Sequence, residues 1–190
     1  MHLNFGILFL IISTIWVTSE VLLLVLRRSK NDSQDHDKGS IKRLNITIYL
    51  SIAVAVSLGF LGIGQIHTAI SIIPWVGLYI ITFGLIIRWV AILTLRKYFT
   101  TNVAIQPDHR IIKSGIYRFV RHPSYTGSII SFCGLGLVFS NWISLIVLVI
   151  PITMAFLKRI KIEEQALQSA FGEEYAVYSK MSWLLFPWIY

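Results

Sequence analysis

LNITIYLSIAVAVSLGFLGIGQI, residues 44 to 66, contains no charged side chain. A helix crosses the hydrocarbon core of a bilayer with about 20 apolar residues, so this stretch is long enough to span and too apolar for the surface of a soluble domain. Working outward, residues 3 to 26 hold Glu20 as their one charge, and residues 70 to 95 hold only Arg88. Neither a basic start nor a small-residue cleavage site marks the first run as a removable signal, so it reads as a permanent helix. After a polar stretch, residues 124 to 140 and 142 to 157 form two shorter apolar runs separated by Asn141, the pattern of a tight helical hairpin. Pro151 is expected to kink the last of them.

The composition agrees. Of 190 residues 55% are hydrophobic and 14% charged, against about a quarter charged in soluble domains. The expected fold is all-α and integral to the membrane, a single domain over residues 1 to 190 with five transmembrane helices and a C-terminal amphipathic cytoplasmic helix. No separate soluble catalytic domain of ordinary size fits in this length. Lysine and arginine collect in cytoplasmic loops, and here they alternate: they fill the connection after the first span, the stretch after the third and the tail, and avoid the turns at His67 and Asn141. That alternation requires an odd number of spans, with the N-terminus external and the C-terminus and site cytoplasmic. The net charge of +8 is thereby mostly a matter of topology and membrane lipids, and no nucleic-acid partner is expected. Cys133, the single cysteine, excludes an internal disulfide and any multi-cysteine metal site.

Two polar stretches are richer than an anchor requires. One is FTTNVAIQPDHRIIKSGIYRFVRHPSYTG, residues 99 to 127; the other is RIKIEEQALQSAFGEEYAVY, residues 159 to 178. Leu167, Phe171, Tyr175 and Tyr178 recur at helical spacing, and stepping back by four puts Glu163 and Arg159 on the same stripe, directed at protein or membrane surface. Pro123 suits the first turn of a helix whose free N–H groups would seat an anionic or strongly polar ligand group. Structural readings stand beside these. His122 also suits a helix start at the interface, Arg159 and Glu163 an ordinary i, i+4 ion pair, and the other basic residues topology alone. Arg88 and Glu20 are expected to pair within the membrane. His109 and His122 lack the spacing and companions of a metal pair, so no metal is expected.

The run GIYRFVRHPSYTG, then RxxxEE and FGEEYxxY after a hairpin, resembles the isoprenylcysteine carboxyl methyltransferases and their phospholipid methyltransferase-like relatives. The resemblance covers residues 99 to 178; the first three helices resemble the family in hydropathy alone. It implies S-adenosylmethionine as cofactor and a lipid-like or prenylated methyl acceptor as partner. Cofactor contacts would fall at Gln106, His109, Arg110, Ile111, Ile112, Tyr117, His122, Pro123, Ser124, Tyr125 and Glu163, and Arg159 would meet the acceptor. Arg159 and Glu163 are the expected catalytic pair. Lys180 stands where relatives often have arginine.

Chemistry supports these roles. Methyl transfer from a sulfonium needs alignment and exclusion of water more than acid or base catalysis. A carboxylate acceptor is already ionised at neutral pH, and an arginine holds it with a forked pair of hydrogen bonds. An amine acceptor would arrive as a cation repelled by that guanidinium, although an arginine also suits a phospholipid phosphate. A phospholipid or other lipid amine N-methyltransferase, a sterol-type reductase and a non-enzymatic scaffold are the alternatives.

Overall fold

The computed structural model describes residues 2–26, 38–66, 72–101 and 108–188. Its helices are α1 (His2–Leu26), α2 (Lys38–Leu61), α3 (Ile73–Leu95), α4 (Pro123–Val138), α5 (Trp142–Phe171) and α6 (Glu173–Met181), with short 3-10 turns at Arg96–Tyr98 and Gly115–Arg118. Among the described residues α1, α2, α3 and α5 each contain a stretch long and apolar enough to cross a membrane. Leu10, Val17, Phe60, Tyr79 and Phe83 stand exposed on three of them, as side chains facing lipid do.

The expected fourth span, residues 124 to 140, is the 16-residue α4. At 1.5 Å per residue it is about 24 Å long, short of the roughly 30 Å hydrocarbon core. The second expected span is displaced toward the N-terminus: α2 begins at Lys38, where Arg43 Nε donates to the Gly39 carbonyl at 3.0 Å, and ends at Leu61 before Gly62 and Gly64, both with positive φ. Residues 67–71, where the third span was expected to begin, lie outside the described residues. The amphipathic tail is continuous with the helix expected as the fifth span. α5 runs unbroken from Trp142 through Arg159 and Glu163 to Phe171, because no proline or glycine interrupts it after Pro151. It stops at Gly172, whose φ of +52° favours glycine, and α6 follows.

Neighbouring helices run α1, α3, α4, α5, α2. The closest approach is between α3 and α4. A Cβ on Gly127 would lie 2.5 Å from the Gly84 oxygen and 2.6 Å from Arg88 N, and one on Gly134 would lie 2.6 Å from the Gly77 oxygen and from Ile81 N. The glycine pairs are spaced by seven residues on each helix, so they meet on matching faces of antiparallel partners. Ser131 Oγ adds a bond across the seam to the Ile81 carbonyl at 3.2 Å. At the far end of α4, buried Asn141 caps α5 by accepting from the Ile143 and Ser144 N–H groups, both at 3.0 Å, and donates to the Ile63 carbonyl at 2.7 Å. The α4–α5 hairpin is thereby tied to the end of α2. At the opposite end residues 182 to 186 return beneath α4. Arg121 N–H donates to the Trp183 carbonyl at 2.8 Å and His122 N–H to the Leu184 carbonyl at 3.2 Å, while Leu185 enters the core beside Phe132 and Phe156.

The expected Arg88–Glu20 pair forms. Nε and Nη2 of Arg88 reach Glu20 Oε1 at 2.6 Å and Oε2 at 2.7 Å, a fork that joins α3 to α1. Nη1 donates to Ser124 Oγ at 3.0 Å and Ser128 Oγ at 2.8 Å on α4. Three helices therefore meet at one guanidinium.

Gly127→Ala is expected to lower the unfolding midpoint in detergent, at a cost of about 1–3 kcal/mol for overpacking a backbone contact. Gly6→Ala, where nothing lies within 4 Å of a new Cβ, should leave it unchanged or raise it. Glu20→Leu should destabilise by up to about 3 kcal/mol by stranding Arg88, and Glu20→Leu with Arg88→Met should recover much of that loss.

Candidate active site

Arg159 is 2% exposed although it belongs to a charged turn of α5. Its Nη1 donates to Ser40 Oγ at 2.7 Å, its Nη2 to the Thr101 carbonyl at 2.9 Å, and its Nε lies 3.3 Å from Glu163 Oε1. These contacts set the plane of the guanidinium from three directions. One turn later Glu163 accepts the Tyr125 hydroxyl proton through Oε1, and its Oε2 lies 3.6 Å from His122 Nδ1. The other imidazole nitrogen, Nε2, meets Glu164 Oε1 at 2.6 Å. His122 is therefore held between two consecutive carboxylates. At the start of α4 these carboxylates meet the His122 imidazole, and among the described residues no side chain caps the helix.

Glu164 is the residue that the sequence reading passes over. Its Oε1 also receives the Tyr175 hydroxyl at 2.5 Å and Arg121 Nε at 3.3 Å, while Arg121 Nη1 donates to the carbonyls of Ser179, at 2.7 Å, and Ser182. Successive helical residues diverge by about 100°, so the EE pair serves two faces: Glu163 points with Arg159, and Glu164 points toward α6. The signal was the tyrosine in FGEEYxxY, one helical turn past the break. Tyr178 donates to the Tyr117 carbonyl at 2.7 Å, fastening α6 to the turn ahead of α4. Burial pushes the Tyr117, Tyr175 and Tyr178 hydroxyls above their ordinary range, Tyr178 to about 12. All three are neutral at physiological pH, and Tyr175 and Tyr178 serve as donors.

These groups surround one end of a cavity of about 650 Å³. Among the described residues singled out from the sequence, His109, Arg110, Ile111, Ile112, Tyr117, His122, Ser124, Tyr125, Arg159 and Glu163 line it. Pro123 does not; it is buried as the first residue of α4 and serves to start the helix. Gln106 lies outside the described residues. His109 lies between Tyr98, tilted against it with ring centroids 5.0 Å apart, and Phe171, edge-on at 5.6 Å, and its buried Nδ1 has no hydrogen-bond partner among the described residues. Burial also pulls its pKa below the usual value, so the ring is neutral at pH 7. The cavity then continues past Arg88 and Glu20 into an apolar arm walled by Trp16, Ile48, Ile52, Phe132, Leu135 and Phe139. The cavity thus combines a polar end that holds an orphaned nitrogen, a buried arginine on its wall and an apolar arm.

The model of the isoprenylcysteine carboxyl methyltransferase (ICMT) family matches residues 75–169. The chain belongs to that family. Similar proteins include the probable protein-S-isoprenylcysteine O-methyltransferase of Oryza sativa subsp. indica, 34% identical over 57% of this chain and 58% of the relative. Protein-S-isoprenylcysteine O-methyltransferase B of Arabidopsis thaliana is 35% identical over 55% of this chain and 54% of its own. The solved structure of the eukaryotic intramembrane Ras methyltransferase ICMT aligns with a TM-score of 0.63 at 26% identity, covering 76% of this chain and 52% of that one. The chain thus spans somewhat over half the length of each of these three proteins. The shared part holds α3, α4 and α5 up to Ser169, including the RHPSY block and both glutamates.

His109 supplies a pH test. Its proton binds less readily in the fold than in the unfolded chain, so its contribution to stability is complete above its ordinary pKa near 6.5 and is lost as pH falls through and below it. The unfolding midpoint in detergent should fall more steeply between about pH 7.5 and pH 5.5 for the native chain than for His109→Gln. Parallel curves would show that the imidazole is not held neutral.

Proposed function

We propose that this chain transfers a methyl group from S-adenosylmethionine to the carboxylate of an isoprenylcysteine or a similarly lipid-tailed acceptor. The observation that carries the reading is Arg159: a buried, oriented guanidinium on the wall of a cavity that has both a polar end and an apolar arm. An acceptor with a carboxylate on a long apolar tail matches both features at once. The arm follows one face of α4 from Tyr125 to Phe139, about 21 Å by helical rise, which is room for an isoprenoid chain that never leaves the bilayer.

The polar end fits the cofactor. An orphaned, neutral His109 Nδ1 offers a hydrogen bond to a ribose or adenine edge, aromatic rings flank it, and Glu163 supplies negative charge for an ammonium or sulfonium. His109, Arg110, Ile111, Ile112, Tyr117, His122, Ser124, Tyr125 and Glu163 would hold it, with Gln106 as a further contact and Pro123 in support. When bound, S-adenosylmethionine supplies a methyl group on a strongly activated leaving sulfur. No general base is required, because the acceptor carboxylate is already ionised. Arg159 holds and aims that carboxylate. Tyr125 and His122 hold Glu163 so that it can face the cofactor while its Oε1 keeps the 3.3 Å contact with Arg159 Nε. Burial of Arg159 and His122 excludes water that would weaken these contacts.

In the same reading α4 is a fifth span, short because it is enclosed by its neighbours, with the N-terminus outside and the site at the cytoplasmic face. The support is the alternation of basic residues along the chain.

The test is methyl transfer from labelled S-adenosylmethionine into a prenylated cysteine in detergent. Base-labile label is expected; base-stable label would mean an amine acceptor and would overturn the substrate class. Arg159→Lys, which loses the fork, should lower kcat/KM roughly tenfold to a hundredfold, the worth of a charge-assisted hydrogen bond. Its affinity for S-adenosylhomocysteine by calorimetry should be unchanged. Glu163→Gln should weaken that affinity instead. If the native chain binds neither S-adenosylmethionine nor S-adenosylhomocysteine, the enzyme reading fails.

A further inference from the structure

Behind the site, on the other side of α5, lies a second cavity, a groove of about 900 Å³ between the end of α5, α6 and the returning C-terminal segment. The proposed reaction makes no use of it. Lys158 and Lys161 reach it from α5 and Lys180 from α6; all three are exposed, and none is engaged by a carboxylate among the described residues. The one carboxylate on its wall, Glu164, is committed to His122, Arg121 and Tyr175. The groove therefore presents three unneutralised ammonium groups.

Part of its wall is apolar. Leu157 stands at the end of the apolar run of α5, Leu184 lies beside it, and Trp183 and Met181 are 42% and 66% exposed at the rim. Tryptophan at such a position is characteristic of the level where headgroups meet acyl chains. A soluble anion would use the lysines and waste the apolar wall. An acidic peptide would have to lie against side chains continuous with a membrane-spanning helix. One molecule uses both features at this depth: an anionic phospholipid, its phosphate among the lysines and the start of an acyl chain along Leu157.

We infer that the groove formed by Lys158, Lys161, Lys180, Leu157 and Trp183 is a binding site for an anionic phospholipid headgroup, separate from the methyl-transfer cavity. Because Arg121 and Glu164 form the inner wall, a lipid seated here braces α6 and the C-terminal segment against α5. The lysines lie on the α5 face turned away from Arg159, so the lipid does not compete with the acceptor.

The test uses the full chain in detergent, with phosphatidylglycerol and phosphatidylcholine as probes and lipid retention read by native mass spectrometry. Phosphatidylglycerol should be retained in preference, and less so as salt rises. Lys158→Gln, Lys161→Gln and Lys180→Gln together should weaken its retention roughly a hundredfold, about fivefold per lysine near a membrane surface. The three arginine replacements should retain it. If the triple glutamine variant does not fold, each single variant should still show its fivefold loss. Equal retention of the two lipids, full retention by the glutamine variants, or displacement of the lipid by inorganic phosphate or a soluble acidic peptide would each overturn the assignment.

Discussion

The backbone contact between α3 and α4 is the constraint on which the rest of the molecule depends. In a bilayer there is no hydrophobic gain from bringing two apolar helices together, so close van der Waals contact has to hold them. Gly77, Gly84, Gly127 and Gly134 permit backbone to meet backbone, and that approach fixes a helix too short to be secured by the membrane alone. Arg88 then lies opposite Ser124 and Ser128, and the first turn of α4, with His122 and Tyr125, is set to within a hydrogen bond's tolerance. Any side chain at the glycine seam would displace α4, and with it every group that α4 brings to the cavity.

α5 converts that position into a site. It is one rigid element from Asn141, anchored on α2, to Gly172, so Arg159 and Glu163 cannot drift relative to the hairpin turn below them. Contacts from α4 reach it at two levels, Tyr125 to Glu163 and His122 to Glu164. The C-terminal segment closes the arrangement from beneath by pairing with the backbone of Arg121 and His122. The site is thus assembled from segments nearly 150 residues apart, Ser40 to Leu185, and its two carboxylates are the joint between them.

How much of this was legible beforehand follows from range. Apolar runs announced the membrane helices because span length is a local property. The i, i+4 relation of Arg159 and Glu163 placed both on one face, since helical phase is local as well. What escaped was set by distant partners. Nothing near residue 164 shows that Glu164 receives bonds from His122, Arg121 and Tyr175; only the folded break at Gly172 turns Tyr175 back toward it. The tail was expected as its own helix because hydropathy changes at Lys158, yet helix continuity answers to glycine and proline, and neither occurs between Pro151 and Gly172. The reach of α2 back to Lys38 was hidden for a similar reason, as a polar composition resembles a loop even where the backbone is helical.

The same reasoning separates the charges of α5. Lys158, Arg159, Lys161, Glu163 and Glu164 occupy fewer than two turns, and a composition count sees a basic stretch with two acids. Helical phase divides them into an inward pair on the cavity wall, an outward pair of lysines on the groove, and a glutamate between, bonded to both neighbouring elements. A buried guanidinium among apolar side chains is tolerable only with partners on every side, and Arg159 has them in Ser40, Thr101 and Glu163. The outward lysines have no such partners among the described residues, and beside a membrane span the nearest abundant anion is lipid phosphate. One short segment thereby joins the proposed chemistry inside the protein to the proposed lipid outside it, with Glu164 as the structural boundary between the two.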